Sequence, residues 1–277
     1  MRKSGLLTGL LITLLLTPWW CLAGEQAGDE TPVRIALIID DMGNRKEAGE
    51  QALALPGVVT YAFLPQTPYA WEQANRAHEL KREVMLHLPM ESVLGHRLGA
   101  GALTLSMNRD EFVATLKSDL ASVPFVEGVN NHMGSLLTRD PTAMRWLMGS
   151  LREAGLFFID SRTTDATVAQ QVAQDNLVAT GRRHVFLDYV RDGEVVREQL
   201  KTLVKTARQQ GGAIGIAHPY PETLVILAQE LPKLEAEGIE LVPASTLTTE
   251  RRALWHASSS PLPKAVKSSK RLPSPIY

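Results

Sequence analysis

Between residues 33 and 243 the chain alternates short, apolar, β-rich runs with longer amphipathic stretches, and this alternation limits the fold more than any other feature. The runs are VRIALII (33–39), VVTYAFL (58–64), EVMLHL (83–88), FVEGVN (125–130), LFFID (156–160), HVFLD (184–188), AIGIAH (213–218) and IELVPA (239–244). They have the length of strands and are rich in β-branched and aromatic side chains. VRIALII is apolar at five consecutive positions, Ile35 to Ile39, as a strand buried on both faces must be. Strands separated by helices form a parallel sheet wrapped by those helices. No fixed-period repeat and no glycine-rich boundary divides the region, which reads as one α/β domain over residues 33–250. GGAIGIAH, the nearest glycine cluster, precedes its strand, whereas a phosphate loop follows one, so a barrel-like sheet is more economical than an open doubly wound one.

The intervening segments carry helix punctuation. Asn108 and Glu111 make a capping box ahead of Phe112, Leu116 and Leu120, which share one face. Asp140 is placed as an N-cap, Pro141 at the first helical position and Gly155 as the stop, with Met144, Leu147, Met148 and Leu151 as the buried stripe. Pro221 opens a further helix in the same way.

Polar residues gather where the apolar runs end. The C-terminal ends read Asp40-Asp41, His87, Asn130-Asn131-His132, Asp160-Ser161-Arg162, Asp188 and His218. In α/β barrels those ends converge on one rim, which carries the chemistry. Adjacent carboxylates behind a buried strand repel each other and resist desolvation, so a compensating charge is required. One aspartate can be absorbed as a helix cap near Arg45; two fit better if a divalent cation takes one and leaves the other as a base. His87 taken alone reads as a core histidine more readily than as a ligand, and His218 alone is equally a cap for the next helix region or a site residue. His132 sits in the turn-like NNHMGS. Together, three of the seven histidines fall at strand ends beside an acidic pair, whereas His184 begins its strand. An Asp/His/His set is a normal ligand set for Zn²⁺ or a similar ion. Asp160 and Arg162 are accessory candidates, as a buried ion pair or as groups orienting a base; Arg183 and Asp188 come after them.

The first 23 residues pair Arg2 and Lys3 with the apolar LLTGLLITLLL (6–16) and small residues at Ala23 and Gly24. This reads as a secretory signal peptide over residues 1–23, with no stable membrane insertion after cleavage; the alternative is an uncleaved anchor that adds Pro18, Trp19 and Trp20. The single cysteine, Cys21, lies inside that segment, so the mature chain has no disulfide or thiolate chemistry. A net charge of −1 gives no general reason to expect nucleic acid. Residues 257–277 are rich in Ser, Pro and basic residues without acids and are expected to form a disordered tail, either a solvated linker or one weakly drawn to anionic envelope surfaces.

The ordered motifs IIDDMG, LHLPME, GVNNHMGS, FFIDSRT and IGIAHP resemble the divergent polysaccharide deacetylase (YibQ-like) family, a distant branch of the NodB-like deacetylases. The resemblance spans about residues 33–250. It implies a deformed (β/α) barrel of seven to eight strands, an exported, periplasmic location, and metal-dependent removal of acetyl groups from a polysaccharide or peptidoglycan. It implies Asp40 as catalytic base, Asp41 and His87 as metal ligands and His218 as general acid. The family's His-x-x-x-His pair is not intact, since Glu91 stands at the second position. His132 replaces the missing ligand, or Glu91 itself does, and Asn131 is a further accessory candidate. The arginine that tunes the base in better-known members has no clear match, with Arg162 the nearest.

Two other readings compete. The altered histidine pair suits a catalytically silent glycan-binding or scaffold protein on the same fold. A metal-assisted phosphoesterase is disfavoured because no Lys or Arg cluster beyond Arg162 is evident at the strand ends. The glycine-rich stretch 94–110 is placed to overhang the rim, as a substrate-shaping loop or a plain surface loop.

Overall fold

A computed structural model describes residues 32–248. The expected signal peptide and basic tail lie outside the described residues. All eight expected strands form, as β1 (Val33–Met42), β2 (Thr60–Phe63), β3 (Val84–Met90), β4 (Val126–Met133), β5 (Phe157–Asp160), β7 (Val185–Phe186), β8 (Gly212–Ala217) and β9 (Ile239–Leu241). A short strand not expected from the sequence, β6 (Thr180–Arg182), completes the set. Every strand pairing is parallel.

The sheet runs β6-β5-β4-β3-β2-β1-β8-β7, with β9 beside the start of β1. Its two edges are consecutive pieces of chain, and only Arg183 and His184 separate them. The Arg183 amide donates to the Asp160 carbonyl on the β5 side, and the His184 amide donates to the Ile214 carbonyl on the β8 side. The run 180–187 is therefore one broken stave that leaves β5 and joins β8, so the sheet curls into the expected deformed barrel.

Around the barrel lie α1 (Lys46–Leu53), α2 (Ala70–Glu79), α3 (Arg109–Ser122), α4 (Pro141–Ala154), α5 (Ala169–Asp175), α6 (Gly193–Gln210) and α7 (Pro221–Ala236). The punctuation reads out as expected. Asn108 and Glu111 cap α3 reciprocally, Asp140 accepts the Thr142 and Ala143 amides ahead of Pro141, and Gly155 ends α4 in the left-handed conformation. Among the described residues no helix is long and apolar enough to cross a membrane.

Alternation along each strand sorts side chains into two layers. Ile35, Leu37 and Ile39 face the helices in the large outer core, while Ala36 and Ile38 face the barrel interior with Met85, Phe157, Ile159, Ile214 and Ile216. Gly128 lies where an added Cβ would sit 2.3 Å from the Phe157 ring, so only glycine fits inside the barrel there. Residues 244–247 seal the bottom: the Ala244 amide donates to Thr60 Oγ1 and the Ser245 amide to the buried Glu83 carboxylate. The opposite end, at the strand C-termini, is left for the polar residues.

Candidate metal centre and active site

The same alternation decides which rim residues point inward. Asp40 continues the inward series of Ala36 and Ile38, His87 that of Met85, Asn130 and His132 that of Gly128, and His218 that of Ile214 and Ile216. Asp41 has the wrong parity for an undisturbed strand. The register between β1 and β2 shifts between Ile39 and Met42, and Asp41 takes φ 56°, so a bulge turns its carboxylate back toward the axis.

Three ligand-type atoms meet there. Asp41 Oδ1 lies 3.3 Å from His87 Nε2 and 3.1 Å from His132 Nδ1, and the two imidazole nitrogens are 3.1 Å apart. His87 Nδ1 lies 2.8 Å from Asn130 Oδ1, to which it donates its hydrogen, and Asn130 Nδ2 donates to Asp40 Oδ1 at 2.7 Å. With its proton on Nδ1, His87 presents a lone pair at Nε2. Asp41 Oδ1 is buried without a hydrogen-bond donor. The centre thus gathers one carboxylate oxygen and two imidazole nitrogens that can all act as acceptors, and these residues fit a divalent metal ion. Without one, a proton takes the place. Burial opposes a charge on His87, but Asp40 and Asp41 outweigh it and raise its pKa to about 9. Burial likewise pushes Asp41 up, yet the His132 and His87 contacts hold it well below the usual carboxylate range.

Asp40 is buried beside this cluster, and burial raises its pKa against the opposing pull of His87, His218 and Asn130. His218 stands on the other side, with Nε2 3.9 Å from Asp41 Oδ2. Its Nδ1 donates to Asp188 Oδ1 at 3.0 Å, while Asp188 Oδ2 accepts from the His218 amide and from Thr223 Oγ1. Burial disfavours charge on His218, but the Asp188 hydrogen bond and nearby carboxylates raise its pKa overall.

The structure separates the accessory candidates from this centre. Glu91 is not among the ligand-type atoms that meet, which belong to Asp41, His87 and His132; its carboxylate accepts the Leu105 amide at 2.7 Å and ties down the loop after β3. Asn131 faces outward and spans Met133 O and the Ser161 amide. Asp160, of the same outward parity as Phe158, accepts the Arg162 amide and Thr167 Oγ1 and pins its own loop. Arg162 does not reach the base; its guanidinium meets Asp165 at 3.4 Å. The arginine whose charge acts on Asp40 is Arg183, held by the Ser161 and Arg162 carbonyls. Asn130 and Asp188, which the sequence ranks below Asp160 and Arg162, contact the cluster directly: Asn130 bridges His87 and Asp40, and Asp188 holds His218. The expected lack of basic residues around the rim is also corrected: Arg45, Arg97, Arg183 and Arg191 line cavities that include Asp40 or Asp41. They come from separate loops, so no local cluster shows in the sequence. The stretch after β3 does overhang the rim, with Arg97 to Ala100 sharing a cavity with Asp41 and His132.

Known proteins resemble this chain over most of its length. The chain is 36% identical over 240 residues to the uncharacterized protein YibQ of Escherichia coli (strain K12), covering 87% of this chain and 74% of that one. It is 34% identical over 221 residues to an uncharacterized protein of Haemophilus influenzae (strain ATCC 51907 / DSM 11121 / KW20 / Rd), covering 80% and 79%. The crystal structure of the uncharacterized protein ATU2773 from Agrobacterium tumefaciens C58 shares the fold with a TM-score of 0.76 at 22% identity, covering 79% of this chain and 90% of that one. Residues 37–248 match the family described as divergent polysaccharide deacetylase, and the chain belongs to that family.

Proposed function

We propose that the protein is a metal-dependent deacetylase of the periplasm that removes acetyl groups from a cell-envelope polysaccharide or peptidoglycan. The observation that carries this reading is the meeting of Asp41 Oδ1, His87 Nε2 and His132 Nδ1 within 3.3 Å of one another, between a buried free carboxylate, Asp40, and an Asp188-oriented imidazole, His218. The apolar N-terminal stretch supports export. A divalent ion held by the three donors, for which Zn²⁺ suits the mixed carboxylate and imidazole set, would acidify a water and polarise the acyl carbonyl.

The protein's own groups do the proton work. Asp40 takes the proton of the water that attacks the carbonyl carbon, and its raised pKa moves it toward the range a base at neutral pH needs. His218 keeps its Nδ1 hydrogen on Asp188, which turns Nε2 toward the centre. From Nε2 the imidazolium gives its proton to the departing amine nitrogen or alkoxide oxygen as the bond to the acyl carbon breaks. Acetate and the free amine or hydroxyl result. Asn130 holds base and ligand at once, so both stay in register. The silent-scaffold reading drew its support from the broken histidine pair, and His132 supplies the donor that pair lacks.

The test is acetate release from acetylated peptidoglycan fragments and chitooligosaccharides by Zn²⁺-loaded protein. Release that disappears in Asp40→Asn supports the proposal; no acetate from any of these glycans from the loaded wild type would overturn it.

A further inference from the structure

The rim around the candidate site is basic although the chain as a whole is not. The sequence carries 29 Lys and Arg against 30 Asp and Glu. Three cavities meet at Asp40 and Asp41, and among the described residues those two aspartates are the only carboxylates that line them. Beside the histidines of the site, the basic residues that line them are all arginine. Arg45 and Arg191 border a cavity of about 190 Å³, which opens between the loop after β1 and the start of α7. Arg97 borders one of about 380 Å³, beneath the loop after β3. Arg162 and Arg183 border the third.

These arginines are not equally committed. Arg183 is spent on two backbone carbonyls, and Arg162 pairs with Asp165. Arg45, Arg97 and Arg191 are exposed and have no carboxylate within ion-pair distance among the described residues. Arg191 is nonetheless held in place, with its guanidinium 3.8 Å from the centroid of the Tyr220 ring. The other neighbour of Tyr220 is His218, stacked at 5.3 Å with 20° between the rings. A continuous pile of imidazole, phenol and guanidinium thus runs outward from the candidate general acid. It ends in a positioned fork that can take two oxygens of an anion.

We propose that the substrate is an anionic glycan, and that Arg191 and Arg45 bind a carboxylate or phosphate substituent on the sugar next to the acylated one, with Arg97 on the opposite flank of Asp41. This rests on the deacetylase reading and narrows its substrate class. A cleft with cations on both flanks, none of Arg45, Arg97 and Arg191 held in an ion pair among the described residues, concentrates a negatively charged chain and sets its direction across the site. Neutral chitin-like chains offer these groups hydroxyl and carbonyl oxygens but no charge to hold.

The test is equilibrium binding, read without turnover, in protein carrying Asp40→Asn. Three probes of equal length separate the possibilities: chitotetraose, a tetrasaccharide alternating N-acetylglucosamine and N-acetylmuramic acid, and a phosphate-bearing chitotetraose. At least one charged probe should bind about tenfold more tightly than chitotetraose at low salt, and the stronger of the two identifies the substituent. The preference should shrink with added salt. It should be lost in Arg45→Gln/Arg191→Gln, while chitotetraose binding stays unchanged, and Arg191→Lys should retain part of it through charge alone. Equal binding of neutral and charged probes, a preference that survives the double substitution, or no binding of any probe would each overturn the inference. Acetate released by the unsubstituted protein from neutral and charged chains alike would sink this inference while leaving the deacetylase reading intact. Selective binding of charged chains with no acetate release would do the reverse.

Discussion

Substituting Asn130→Ala tests the architecture of the site at its most economical point. Asn130 is fully buried and bridges two buried groups of opposite roles, donating to Asp40 Oδ1 at 2.7 Å and accepting from His87 Nδ1 at 2.8 Å. Hydrogen bonds to charged groups are worth about 1.5–3 kcal/mol each, so outright loss of both would cost roughly 3–6 kcal/mol. The full loss is not expected. Asp40 Oδ1 and His87 Nδ1 already stand 3.6 Å apart and can close into a direct bond once the amide is gone. One interaction is then recovered, and the expected net loss of stability is about 2–3 kcal/mol, including the small cavity. The direct bond has a second effect: it turns the His87 ring away from the orientation that Asn130 sets. Removing the partner of a metal-binding histidine typically costs 10–100-fold in metal affinity. Urea unfolding of metal-free protein reads the first quantity, and Zn²⁺ competition against a chromophoric chelator reads the second. A variant within about 0.5 kcal/mol of wild type in stability and with unchanged Zn²⁺ affinity would show that Asn130 does not organise the centre.

Three further outcomes follow from the titrating groups. Because His87 is held protonated, with a pKa raised to about 9, when no cation is present, metal uptake at neutral pH should expel about one proton per ion; calorimetry in buffers of different ionisation enthalpy counts it, and zero release contradicts the acceptor-cluster picture. Asp188→Asn removes the carboxylate that raises His218, so the alkaline limb of the rate profile should move to lower pH and the turnover rate should fall by about 10²–10⁴-fold; an unmoved limb excludes His218 as the acid. Asp119 lies buried under the loops that carry Gln66 and Gly101, with its pKa raised by burial to about 7 from 3.8. Its folded form prefers the proton, so its contribution to stability is fully present below pH 3.8 and is lost as pH rises through about 7. Asp119→Asn should flatten that decline in a pH series of urea midpoints, and an identical decline in the variant refutes the assignment.

The strands and helix caps were legible because each rests on local chemistry: apolar runs of strand length, Asn108 with Glu111, and Asp140 before Pro141. Strand β6 was not, because Thr180-Gly181-Arg182 has no apolar alternation and pairs only where the barrel needs to close. At the rim, residue identity marks the ring of polar groups, while the period-two alternation sorts them inward or outward. Counting from Phe157 and Ile159 puts Asp160 outside, and counting from Phe186 puts Asp188 inside, which reverses their ranking. Asp41 breaks the count, since the bulge that turns it inward leaves no mark in IIDDMG. Arg45, Arg97 and Arg191 were invisible as a group because only the curled sheet brings their loops together.

Zinc titration of chelator-stripped protein, wild type beside His132→Ala, bears most directly on the central claim that Asp41, His87 and His132 share one ion. Wild type should bind one equivalent tightly, with an absorption-edge spectrum of imidazole nitrogens near 2.0–2.1 Å and a carboxylate oxygen near 2.0–2.2 Å, each about the usual distance. His132→Ala should lose the tight equivalent. Tight binding that is unchanged in the variant, or absent from the wild type, would contradict the account.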